Sequence, residues 1–115
     1  MMNLTSGMLR DLHTAEACVK AKLYTAVAVC GRRIGEAFAR MYVPKRTGMF
    51  GGDLWALPDH TQDLWEASSH CNSIGNMGAH PGHAVTREEA VLVYVSAIYV
   101  LRWHLVHKAA ARARL

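Results

Sequence analysis

The segment Thr86-Arg87-Glu88-Glu89, followed at once by AVLVYVSAIYVL, constrains this chain more than any other. The first four residues have the spacing of a capping box. The Thr86 hydroxyl is placed to accept from the Glu89 amide, and the Glu89 carboxylate to reach back to the Thr86 amide. Val85 is placed to staple against Ala90. The helix so opened runs to about His107 or beyond and is apolar nearly all round, so it is either central to its fold or shared with a partner chain. The uninterrupted apolar run from Ala90 to Leu101 is about 12 residues, short of the roughly 20 that span a bilayer. Arg102 and His104 then break it. A buried central helix is expected, with no membrane partner.

A helix of this kind needs others to cover it, and the upstream sequence supplies three. A first helix is expected after Ser6 as N-cap, running to about Lys20, with Met8, Leu9, Leu12, Ala15 and Val19 at helical spacing. A second is expected from about Leu23 to Met41. Its stripe Leu23, Val27, Cys30, Ile34, Phe38 and Met41 steps by three or four, and Val43-Pro44 ends it. Residues 45–58, with three glycines and a proline, read as a loop whose Met49, Phe50 and Trp55 fold back onto the core. A third helix begins near Asp59 or Thr61 and ends at about Gly78, before His80-Pro81-Gly82. Its core face, Leu64, Ser68, Cys71, Gly75 and Gly78, becomes progressively smaller, which lets another backbone approach closely. The expected fold is all-α: a compact antiparallel bundle of about four helices, one domain over residues 1–115, ending in a short basic tail at 108–115.

Composition agrees with a packed domain. Of 115 residues, 51% are hydrophobic and 19% charged, which is globular rather than disordered. The net charge of +4 permits contact with RNA or DNA without establishing it. Arg102, Lys108, Arg112 and Arg114 are the nucleic-acid candidates; their plainer role is to complement the C-terminal helix dipole. Cys18, Cys30 and Cys71 are odd in number and widely spaced, as expected of free thiols in a reducing compartment. The first 16 residues lack the apolar core and cleavage site of a signal peptide, so a cytoplasmic location is expected. Histidine pairs such as His80/His83 and His104/His107 lack the second half of a zinc pattern, so neither a metal nor another cofactor is expected.

Asn72, Asn76 and His80 lie four residues apart and line one helix face as a polar stripe. The plain reading is a solvated face. The sharper one is a hydrogen-bonded contact beside Gly75 and Gly78, with Glu36 of the second helix turned inward to accept from Asn76 or His80. Arg33 and Glu36, three apart, are otherwise a surface ion pair.

The string SIGNMGAHPGHAVTREEA, followed by a long apolar helix, resembles the domain of unknown function family 4145, a branch of the HEPN superfamily. Its members tend to read R-x-x-G-N-x-x-A-H, then a short loop, then E-E/D-A at the start of the last helix. An upstream helix of the family, with an aromatic residue and later R-x-x-x-E, is matched loosely by the stretch from Tyr24 to Arg33 and Glu36. The resemblance covers about residues 12–107. It implies a helical bundle that often pairs as a homodimer, found alone or beside defence enzymes. Some HEPN domains are metal-independent ribonucleases, and others are non-catalytic modules. The catalytic motif is an arginine, four to six residues, then histidine. Counted back from His80, the arginine positions hold Ser73, Ile74 and Gly75, and the looser family arginine is replaced by Asn72. Without it, stabilisation of a charged phosphorane has no evident source, although His80 retains proton-transfer chemistry.

The expected function is therefore a non-catalytic, homodimeric interaction module, with the resemblance implying a setting in prokaryotic or phage defence, where a defence-system protein is a further partner. The alternatives are a metal-independent endoribonuclease using His80 with Asn72 or Asn76, and a small basic nucleic-acid-binding protein.

Overall fold

The computed structural model describes residues 4–42, 62–80 and 82–113, with side chains through His107. Four helices account for nearly all of them: α1 (Leu4–Lys20), α2 (Tyr24–Tyr42), α3 (Gln62–Ala79) and α4 (Arg87–Ala113). No strand occurs among the described residues. The protein is an all-α bundle. Residues 45–58, read above as a loop, lie outside the described residues.

Helix α1 begins at Leu4, so Ser6 is inside it rather than its cap. It ends in a Schellman motif: the Leu23 amide donates to the Cys18 carbonyl at 2.8 Å and the Lys22 amide to Val19 at 3.1 Å. Lys22 takes the left-handed conformation there, at φ 61°, a position that normally favours glycine. The capping box at α4 is complete. Glu89 donates its amide to the Thr86 hydroxyl at 3.1 Å, and the Thr86 amide donates to the Glu89 carboxylate at 2.9 Å. Val85 and Ala90 are both buried in the same cluster, as a staple requires.

Helices α2 and α4 each touch all three others, while α1 and α3 do not meet. The bundle is thus flattened, with α2 against α4 across its short diagonal. Gly31 makes this approach possible, because a Cβ there would overlap the Val93 side chain. The core divides in two. One half gathers Met8, Ile34, Phe38, Leu64, Cys71 and Val100. The other gathers Ala15, Val27, Ala28, Ile74, Val85 and Val93. Each large side chain fully buried here contributes about 1.5–3 kcal/mol relative to exposure. Leu9 and Leu23, read as core from their spacing, are exposed: each sits at the margin of its stripe.

All three cysteines are free thiols, with Cys30 and Cys71 buried. Burial pushes the Cys71 thiol up to about 12, so it stays protonated and inert at neutral pH.

Helix α4 does not break at Arg102 or His104. The segment Arg87–His107 is long and apolar enough to cross a membrane by length and composition alone, with mean hydropathy 1.4. Its inner side is built into the bundle, through Ala90, Val93, Ala97, Val100 and Leu101, and carries the buried polar groups Ser96 and His104. That is the construction of a bundle's core helix.

Candidate functional site

The polar stripe on α3 does not gather into a site. Asn72 is half-buried, whereas Asn76 and His80 are exposed. Glu36 does not reach them; it accepts from Arg32 Nε at 3.1 Å, one turn back on its own helix. Nor does Arg33 pair with Glu36. It turns toward α1, where its Nε lies 3.4 Å from the Asp11 carboxylate. Four residues bring two side chains more nearly into line on a helix than three do, and α1 offers Arg33 a buried acid. The proposed cluster of Arg33, Glu36, Asn72, Asn76 and His80 is thereby divided between the α1–α2 cleft and the outer surface of α3.

The glycines of α3 lie against α2 of the same chain. A Cβ on Gly75 would overlap Arg32 Cβ and come within 3.0 Å of the Ala28 carbonyl oxygen. At Gly78 it would meet Ala28 Cβ at 3.0 Å and Val85 Cγ2 at 3.3 Å. The close-packing surface is therefore internal.

A polar cluster that the sequence did not reveal joins three helices at one end. His104 is 3% exposed. Its Nε2 lies 2.9 Å from the Thr5 hydroxyl of α1, and its Nδ1 meets the Tyr42 hydroxyl of α2. Phe38, Tyr42 and Trp103 pack tilted or edge-on against one another at centroid distances of 4.9–5.4 Å, and Tyr42 meets the His104 ring edge-on at 5.5 Å. Burial raises the Tyr42 phenol above its ordinary value. Both ring nitrogens are engaged and the imidazole is shut off from solvent. This cluster fixes the ends of α1, α2 and α4 to one another; it is placed to hold structure rather than to meet a substrate.

Among the described residues no group of three or more His, Cys, Asp or Glu is arranged to hold a metal ion. Of the basic candidates, Arg102 is exposed on α4; the side chains of Lys108 and Arg112, and all of Arg114, lie outside the described residues.

What the fold leaves exposed is the outer face of α4. With Val93, Val100 and His104 turned into the bundle, the opposite side presents Glu88, Leu92, Val95, Tyr99, Arg102 and Val106, alternating steps of four and three. Leu92 is 40% exposed, Val95 56%, Tyr99 38% and Val106 65%. Val91 and Ile98 flank them. Two apolar grooves run along this face, one of about 450 Å³ around Ile98, Tyr99 and Val106, the other of about 390 Å³ around Val91 and Leu92. They meet at Val95. The spacing is that of a helix-pairing seam, and large apolar side chains grouped this way on a surface mark an interaction site.

Compared with family models, curated proteins and solved structures, the chain gives no match.

Proposed function

We propose that this chain is a non-catalytic helical interaction module that works by self-association through the outer face of α4. The observation that carries the reading is the second apolar side of α4. A helix that only covered a core would be polar there, and this one presents Leu92, Val95, Tyr99 and Val106 in a line. The resemblance to HEPN-like domains, on the residues quoted for it, supports a homodimer, and extends the proposal to prokaryotic or phage defence. The absence of an arginine at the motif positions before His80 supports a module without ribonuclease activity.

Association that stabilises the folded chain makes its melting temperature rise with protein concentration. The wild-type chain should show that rise. Val95→Asp places a charge at the centre of the seam on a residue already half in solvent, so it should abolish the rise while leaving the melting temperature of the dilute protein nearly unchanged. Identical, concentration-independent melting of both proteins would refute the reading. RNA incubated with the chain in EDTA should remain intact; cleavage lost in His80→Ala would replace the module with an enzyme.

A further inference from the structure

Self-association through α4 leaves open how two copies meet, and the charges on the seam decide it. Glu88 and Arg102 lie on the same line as the apolar residues, each seven positions from Val95 and on opposite sides of it. Both are exposed, and neither forms an ion pair with another of the described residues. We infer that two copies pair through α4 in antiparallel orientation about a two-fold axis passing at Val95, so that Glu88 of each copy meets Arg102 of the other.

The rest of the seam follows the same symmetry. Leu92 and Ile98 each lie three positions from Val95, and Val91 and Tyr99 each lie four. An axis at Val95 therefore sets Leu92 against the second copy's Ile98, and Val91 against its Tyr99. The groove around Val91 and Leu92 receives the side chains lining the groove around Ile98 and Tyr99, and the reverse, which is the self-complementarity an isologous dimer requires. A parallel arrangement would keep Val95 opposite Val95. It would set Glu88 against Glu88 and Arg102 against Arg102, replacing two attractions by two repulsions at the ends of a short seam. Between its terminal Glu88–Arg102 pairs the contact is only about 21 Å long. It falls at the small end of specific interfaces, and a dimer dissociating on the order of micromolar is expected.

This inference rests on the self-association proposed above, and charge reversal separates the two. Glu88→Arg and Arg102→Glu should each weaken dimerisation on the order of tenfold, since each turns two exposed attractions into repulsions. The double variant should return to near the wild-type constant. Cross-linking reads the register independently. Glu88→Cys and Arg102→Cys chains, each carrying Cys18→Ser, are mixed and oxidised gently. The mixed pair should form ahead of either like pair. Dominant Glu88→Cys like pairs, or single reversals with wild-type dimerisation, would overturn the antiparallel register while leaving the surface intact. A wild-type chain that does not dimerise would remove the surface and the register together.

Discussion

Replacing Gly75 by alanine adds one methyl group at a defined place between α3 and α2. Two effects oppose each other. Alanine inside a helix is favoured over glycine by about 1 kcal/mol. Against that, the new Cβ overlaps Arg32 Cβ and approaches the Ala28 carbonyl oxygen to 3.0 Å. Those atoms belong to the α2 backbone or sit directly on it, so no rotamer change clears them and the helices must separate. Overpacking of this kind costs about 1–3 kcal/mol, so after the helix-propensity gain Gly75→Ala should be net destabilising by up to about 2 kcal/mol. Gly78→Ala is the internal control. Its nearest neighbours, Ala28 Cβ and Val85 Cγ2, lie at 3.0 and 3.3 Å, so a shift of only a few tenths of an ångström relieves the contact, and gain and loss should nearly cancel. Urea unfolding followed by circular dichroism, with the slope checked for constancy, measures both. A Gly75→Ala chain more stable than wild type by the full helix-propensity gain would show that α3 and α2 do not approach as described.

Three further expectations follow from local geometry. Lys22→Gly should stabilise the chain by about 0.5–1 kcal/mol in thermal unfolding, because Lys22 sits at φ 61°, where a Cβ is strained. Tyr42→Phe leaves a buried His104 nitrogen without its hydroxyl and should cost about 1–3 kcal/mol, with a loss of protection at the ends of α1 and α4 in hydrogen exchange. The Thr86 amide, with lesser help from His83, holds the Glu89 carboxyl below its ordinary value of 4.5. Its folded value is depressed, so its contribution is fully present above 4.5 and lost as pH falls through the folded value. The gap in melting temperature between wild type and Glu89→Gln should accordingly close on acidification from neutral pH.

Features set by neighbours in sequence were legible before the structure. The Thr86–Glu89 capping box involves four consecutive residues, and the helical stripes of α2 and α3 depend only on spacing. The excess apolar character of α4 was equally plain, but which side faced the core was not, because Val93 and Val95 are chemically alike. Their fates are decided by where Gly31 admits α4. The His104 cluster left no trace in the sequence, since its partners Thr5 and Tyr42 stand 99 and 62 residues away. Arg33 misled for a related reason. Its spacing to Glu36 suggested an intrahelical pair, whereas its acid is Asp11, on another helix. Asn72 and Asn76 did share a helix face, with His80 just past the helix end, but spacing alone carries no information on whether that face is covered.

Sedimentation equilibrium of the wild-type chain across a concentration series tests the self-association through α4 most directly. The mass should rise from that of one chain, 12.7 kDa, toward twice that value over the micromolar range, and Val95→Asp should hold it at one chain throughout. A single-chain mass for the wild type at every concentration, or a two-chain mass undiminished in Val95→Asp, would contradict it.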